Sequence, residues 1–488
     1  MDVYYHKMNE AKYPDYPYDP SEYYPEFSRY KEQIATCASN EVYSAVRDVL
    51  EHLDLDQENQ GTEYWNPLKE LIHPGQQVLL KPNLVYHQHP KGNKEVLSMV
   101  TNAAVLRPLI DYILLATHGN CKIIIGDAPV QGADFACVTK ISGVDRLVEY
   151  YREKGIEIKL IDMRQLISVR NDAGILGEKH RNPNRTKQDY FAVDLKDKTE
   201  LYEIIDACNR FEITDYAYRS VMKHHNRKKN EYIIPKEVLR SDLIINIPKL
   251  KTHRKAGITC AMKNLVGING DKTCLAHHTR GVKGEYGDEF NERKFKTICK
   301  VRIWTFLKTT KAGIFIAGLI MRFFQKFVWR GQTIKEYNME HRPKVFTEGS
   351  WYGNDTLWRC VKDINKIALY ADKNGNMKGD RQRNYLCMVD AVLAGEKEGP
   401  MEQTTVDMGV VFGGKNPVYV DYLATKLMRL DYHRIPLIKN GFYNKWWILA
   451  EKQPEEIHFE GNVTLDRAAH YFTPSFGWRD ALDDTRRK

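Results

Sequence analysis

Lysines, histidines and an asparagine crowd into one short stretch, Pro248-Lys249-Leu250-Lys251-Thr252-His253 continuing through Lys263, Asn264 and the pair His277-His278. A strand end delivers Lys249, Lys251 and His253, and a helix or turn beginning near Ala256 carries Lys263 and Asn264. Gly267 and Gly270 then let the backbone turn before the two histidines. Ammonium groups beside glycine-permitted backbone amides suit the oxygens of an anion. Imidazoles suit either a metal or proton transfer, since an unperturbed histidine titrates near neutrality. Two uses therefore stay open: His253 and His277 completing a metal site with a carboxylate such as Asp127 or Asp390, or a histidine acting as general acid or base. Taken singly, each residue reads as a surface lysine or a loop histidine; their concentration at one strand end argues for a site.

Carboxylates follow further along. Asp390 closes a buried-type strand, and Glu396 lies in the Gly-bounded loop after it. Such a pair is able to coordinate a hard cation such as Mg²⁺ or to share acid–base work. Asp421 follows Asn416-Pro417 and suits the positive start of a helix. Ordinary nucleotide loops are absent: there is no GxGxxG, and Gly270-Asp271-Lys272-Thr273 lacks the Gly-Lys order of a phosphate-binding loop.

The elements that must position these residues follow a strand-then-helix rhythm. Residues 78–80 read as a strand ending in Lys81-Pro82-Asn83, 103–117 as an apolar helix, and 122–125 as a strand ending in Gly126-Asp127-Ala128-Pro129. A helix over 143–154 and strands over 156–161, 243–247, 385–389 and 410–412 continue it, with a last helix through Met428. The alternation predicts an α/β fold: a mainly parallel, Rossmann-like sheet with helices on both faces, a smaller C-terminal α/β part and a basic amphipathic helical insertion. In such sheets ligands sit beyond the carboxyl ends of strands, where Lys81, Asn83 and Asp127 fall. The expected division is an N-terminal arm and helix over 1–74, a core over 75–292, basic apolar helices over 293–335, a second α/β part over 336–440 and a tail over 441–488. Within the core, 165–240 reads as a polar insertion, with His224–Lys229 as a solvated basic loop.

Composition limits the partners. At 488 residues with 42% hydrophobic and 28% charged residues, the chain builds a globular core, and its net charge of +9 points to acidic partners. Nine cysteines, an odd number without any CxxC pair, argue for a reducing compartment and against an iron–sulfur cluster. The polar, Tyr/Pro-rich start is no signal peptide, which makes the cytoplasm the default.

As an ordered set, VLLKPNLV (78–85), Thr101-Asn102, IIIGDAP (123–129), PKLKTH (248–253), AMKNLVGI (261–268), His277, the strand leading to Asp390, Gly395–Pro400 and NPVYVD ending at Asp421 resemble the domain of unknown function 362 family. The family is often fused to ferredoxin-type cysteine clusters, which this long form lacks, and its name implies no reaction. A more distant similarity is to the nickel-pincer lactate racemases. His253, Lys263 and His277 follow the racemase order of histidine, cofactor-holding lysine and nickel-ligating histidine, and Gly257 and Gly267 echo its glycines. That resemblance implies a shared fold and a pocket for a nickel-pincer nucleotide. The racemase His-Arg motif is replaced here by Gly126–Pro129.

Between Arg293 and Arg330 stand ten Lys/Arg and no Asp/Glu. The fully apolar run, 312–321, makes a helix of about 15 Å, whereas a bilayer core needs about 30 Å, so it does not span. At 100° per residue, Lys308, Lys311, Arg322, Lys326 and Arg330 share an arc of about 100°. One basic face with aromatics elsewhere describes a helix lying on an anionic membrane through residues 300–330; the alternative is a buried hairpin with snorkelling lysines. Nucleic acid is disfavoured, because the aromatics form an apolar block instead of interleaving with a basic sheet.

These observations predict a peripheral enzyme on the cytoplasmic face of the cell membrane. Its substrate would be a phosphorylated, lipid-linked sugar or acid in envelope polysaccharide biosynthesis. His253, Lys263 and Asp390 would be catalytic; Lys81, Asn83, Lys249, Asn264 and Gly267 would contact the anion or cofactor; and His277, Asp127 and Glu396 would hold a divalent metal, Mg or Ni. Two alternatives remain: a metallo-nucleotide-dependent isomerase or redox enzyme, and a non-catalytic membrane-peripheral scaffold.

Overall fold

A computed structural model describes residues 1–30, 36–37, 39–170, 176–213, 220–285, 287–307, 310–332 and 334–482. One ten-stranded sheet organises them: β1 (Val3–Lys7), β2 (Gln77–Pro82), β3 (Lys122–Asp127), β4 (Ile158–Asp162), β5 (Leu243–Ile247), β6 (Lys249–His253), β7 (Gly257–Thr259), β8 (Asn384–Glu398), β9 (Glu402–Gly414) and β10 (Phe459–Gly461). The principal helices are α1 (Glu41–Glu51), α2 (Ala103–Thr117), α3 (Val144–Glu153), the single turn α4 (Ala261–Asn264), α5 (Phe295–Leu307), α6 (Lys311–Phe327), α7 (Leu357–Tyr370) and α8 (Pro417–Leu427).

The strand order is β10-β1-β9-β8-β5-β2-β3-β4. From β8 through β5, β2 and β3 to β4 every neighbouring pair is parallel, while β9 runs antiparallel between β8 and β1. Central strands of such sheets are covered on both faces, and their side chains divide by alternation. Val78 and Leu80 pack with Ile123, Ile125, Leu243 and Ile245 against α1, α2 and α3. Leu79, Ile124 and Ile244 face the opposite core with Val361, Ile364 and Ile367 of α7 and Leu423 of α8. The fold is α/β, as the strand–helix rhythm predicts.

Three features shape the site. Residues 336–440, expected as a second α/β part, supply β8 and β9 to the same sheet as β2 and β3. Pro248 separates β5 from β6, which runs on along the distal half of β8, with Lys249 opposite Asp390 and Lys251 opposite Gly395. The 15-residue β8 and 13-residue β9 form a long hairpin. Its tip settles on β6, where Gly399 accepts from the Arg254 amide and Lys397 accepts from the Thr252 hydroxyl.

Within the insertion over 165–240, the expectation of a wholly solvated 224–229 loop is corrected. His225 is fully buried and bonds the Cys274 carbonyl, because the loop is a tight hairpin between Asn226 and Lys229 that turns one histidine inward. In the basic segment, α5 and α6 pack on each other. No helix among the described residues is long and apolar enough to cross a membrane.

Candidate functional site

The tips of β2, β3 and β6 converge on a cavity of about 180 Å³. Lys251, His253, Arg254 and Lys255 enter it from β6 and the turn behind it, Lys263 and Asn264 from α4, and Lys272 and His277 from the following loop. Asn83 and Asp127 come from the ends of β2 and β3, and Met401 from the β8–β9 tip.

Short-range bonds fix these groups. Asp421, on α8, accepts the Ala261 and Met262 amides at 2.6 and 3.1 Å, so it caps α4 and aims Lys263. The expectation that Asp421 serves the helix start after Asn416-Pro417 is corrected: Asn416 caps that helix by accepting the Val418 amide, and Asp421, inside α8, serves α4 instead. Asn264 donates to Asn246 Oδ1 (2.8 Å) and accepts from Asn83 Nδ2 (2.7 Å), while Asn83 Oδ1 accepts from the Lys251 ammonium (2.8 Å). Buried amides joined in this way form a rigid floor.

Asp127 is the one carboxylate among the described lining residues, and its charge is already met. Oδ1 lies 2.8 Å from Lys81 Nζ, and Oδ2 accepts the Leu84 amide at 2.7 Å. By contrast, Lys251 bonds the Asn83 amide oxygen and the Met99 carbonyl, and Lys272 reaches the Val266 carbonyl at 3.4 Å. Burial, reinforced by Lys255 and Lys81, brings Lys263 down to about 8. Burial, with Lys81, Lys263 and Arg164 nearby, brings Lys272 to about 7 against the opposing pull of Asp127. Lys251 is pushed well below its ordinary range by burial and then by Lys249 and Lys263. These are amines held close together out of water, Lys251 and Lys272 with neutral acceptors as partners, and an incoming anion would favour their charged form.

His253 has a defined polarity. Its Nδ1 accepts the backbone amides of Lys255 (3.0 Å) and Ala256 (3.1 Å). Burial and the charges of Lys263 and Arg254 hold its pKa well below the usual histidine value. The ring is therefore neutral, and its proton sits on Nε2, assigned from the bonds that Nδ1 accepts. It offers a hydrogen-bond donor, not a base and not a metal ligand. His277 is likewise held neutral by burial and by Lys255 and Lys263, and its buried Nδ1 has no hydrogen-bond partner.

Several expectations are corrected. Asp390 is not a cavity residue: it lies fully buried 2.6 Å from Lys249 Nζ, accepts the Tyr13 hydroxyl (2.7 Å) and accepts the Asn102 amide (2.9 Å) at the start of α2. Lys249 is committed to that pair, to Tyr13 and to the Leu393 carbonyl. Lys81, spent on Asp127 and the Pro82 carbonyl, is not a lining residue either. In each case a buried carboxylate on a neighbouring strand claims the ammonium. Glu396 points to the C-terminal region, where it accepts the Thr473 amide at 2.7 Å.

Gly267 lines the cavity, but its need for glycine is steric. A Cβ there would overlap Asp127 Oδ1 and come within 2.6 Å of Lys81 Nζ.

The donors do not fit a metal at Asp127, His277 and Glu396, because Asp127 is neutralised by Lys81 and Glu396 is elsewhere. Among the described residues, Glu212, His278 and Glu289 do bring ligand atoms together. There Arg302 bonds Glu289 (3.0 Å), and Arg280 lies 3.4 Å from Glu212, so guanidinium groups take the cation's place. The polar cavity residues not singled out as site residues in the sequence are Arg254, Lys255, Thr259 and Lys272. Their signal was proximity: all four lie in the 248–278 stretch already marked by its lysines.

A protein from Thermotoga maritima, solved by a structural-genomics consortium, superposes with a TM-score of 0.29 at 8% identity, covering 74% of this chain and 54% of that one, so that this chain spans about half its length. No curated protein sequence matches. A family model described as Domain of unknown function (DUF362) matches residues 78–181 and 195–426, a span that holds the cavity from Asn83 to Met401, and the chain belongs to that family.

Proposed function

We propose that this protein is an enzyme that binds a phosphorylated substrate in the strand-tip cavity and acts on it at a membrane surface. One observation carries the reading: Lys251, Lys255, Lys263 and Lys272 line a single cavity in which the one carboxylate among the described residues, Asp127, is already paired with Lys81. A preorganised set of donors in a water-poor site stabilises negative charge without reorganising as the reaction proceeds. The His253 Nε2–H supplies a neutral donor to an oxygen on which charge develops. Lys263 and Lys272, brought down to about 8 and about 7, are placed to give or take a proton in the cavity, whereas His253, held neutral, serves as a donor.

The membrane part rests on α6. Phe315, Phe323 and Phe327 are 67%, 57% and 64% exposed, and with Ile316 and Leu319 they cover an arc of about 120°. Exposed Lys296 and Lys300 on α5 and Arg322 and Lys326 on α6 supply positive charge. Of the basic arc read in the sequence, Lys308 and the side chain of Lys311 lie outside the described residues. An apolar strip with basic neighbours fits an anionic bilayer surface, and a lipid-linked phosphate is the substrate such a location would present.

Equilibrium binding of inorganic phosphate to the full chain tests the cavity. Saturable binding that Lys263→Met weakens at least about ten-fold, or about 1.4 kcal/mol, supports it. Binding that is absent, or indifferent to Lys263, rules it out.

A further inference from the structure

We propose that the cavity's ligand carries two linked phosphoryl groups, a diphosphate, and that its binding draws protons into the protein. The inference rests on reading the cavity as an anion site and goes further by setting the charge and size of the occupant.

Charge comes first. Among the described residues Lys251 and Lys272 meet only neutral oxygens in their hydrogen bonds, and Lys263 feels the charges of Lys255, Lys81 and Asp127. Arg254 has Glu398 nearby. A phosphate dianion would leave part of this positive charge uncompensated, whereas a diphosphate brings enough to hold the lysines ionised together.

Size points the same way. At about 180 Å³ the cavity has room for on the order of ten water-sized positions, about twice the heavy atoms of one phosphate and close to those of a diphosphate. Two stretches supply the lysines: Lys251 and Lys255 come from β6 and its turn, and Lys263 and Lys272 from the segment after it. Val85, Val130, Leu275 and Met401 complete the lining with apolar surface, which suits the organic part of a diphosphate ester.

Proton uptake follows from the free state. Lys263, facing Lys255, Lys81 and Asp127, stands at about 8, and Lys272, facing Asp127, Lys81, Lys263 and Arg164, at about 7. His253 and His277 also border Lys263 and stay neutral. A polyanion among these amines raises both toward the ordinary lysine value, so they take up protons as it binds.

Calorimetric titration of the full chain near pH 8, without divalent cations and in two buffers of different ionisation enthalpy, measures both effects. Sodium pyrophosphate should bind at least about ten-fold more tightly than sodium phosphate, and the protein should gain about one proton, counting both protons drawn from solution and any that the pyrophosphate itself gives up. Lys263→Met and Lys272→Met should each reduce that preference and that uptake. Should either variant fail to fold, the comparison of the two anions on the unaltered protein decides alone. Equal affinities, or tighter pyrophosphate binding without proton uptake, overturn the inference. Phosphate binding that depends on Lys263 but shows no pyrophosphate preference removes it while sparing the proposed function; binding of neither anion removes both.

Discussion

At Lys249 the ammonium, the Asp390 carboxylate and the Tyr13 hydroxyl meet out of water, each satisfied by the others. Removing either charged member strands a buried charge, which costs about 3–5 kcal/mol. Asp390→Ala should therefore lower the melting temperature sharply while the folded protein keeps phosphate affinity within about two-fold, as read by denaturation and calorimetry. His253 tests the opposite kind of site. Because Nδ1 accepts two amides, His253→Asn keeps an acceptor in place and deletes only the Nε2–H. In the unaltered protein, nitrogen NMR should show His253 as the neutral Nε2–H tautomer, without titration between about pH 5.5 and 8; a titration near 6.5 would refute that assignment. The lysines set a further trend. Lys263 and Lys272 have folded values of about 8 and about 7, below the 10.5 of a free lysine, so the unfolded chain binds more protons in that window. Stability of the ligand-free protein should rise with pH from about 7 to 9, less steeply in Lys263→Met, as followed by thermal melts. The sequence displayed which lysines cluster. It could not show which of them a carboxylate on another strand would claim, since Lys249 and Lys251 differ only by their partners, Asp390 and Asn83.

Among the elements, α4 is the smallest and the most consequential. A single turn does not hold itself together; its start is held by Asp421, 160 residues away. Asp421→Ala should cost about 1–2 kcal/mol as a lost cap and also weaken phosphate binding through a misplaced Lys263, whereas Lys263→Met should affect binding alone. The residue's suitability for a helix start was legible from its charge and position, but which helix it serves depends on how α8 packs. Gly267 is a second such point. Gly267→Ala should push the Lys81–Asp127 pair apart and destabilise by several kcal/mol, visible as a fall in melting temperature. Strand tips Lys81, Asn83 and Asp127 were readable from the strand–helix rhythm. The β8–β9 tip over β6 was not, because its two strands are longer than their apolar runs and the tip's carbonyls are held by the Thr252 hydroxyl and the Arg254 amide.

For the whole molecule, one sheet collects residues that the sequence suggested lay in separate parts, since neither hydrophobic runs nor polar insertions say which strands will pair. The basic segment was legible in its charge and aromatic content, and it emerges as the paired helices α5 and α6 with an exposed apolar strip. Replacing Phe315, Phe323 and Phe327 together by Ser should abolish sedimentation with anionic vesicles and leave phosphate binding unchanged; unaltered sedimentation would mean that the strip faces something else. The sheet's edge also has a temporal meaning. Tyr4 pairs with Gly413 on one side and Glu460 on the other. At roughly 5–20 residues per second on the ribosome, about 20–90 s pass between the emergence of the first of these and the last. Until β9 emerges β1 has no strand partner, and until β10 follows it has only one, so this side of the sheet closes late and an interrupted chain leaves β1 open to aggregation.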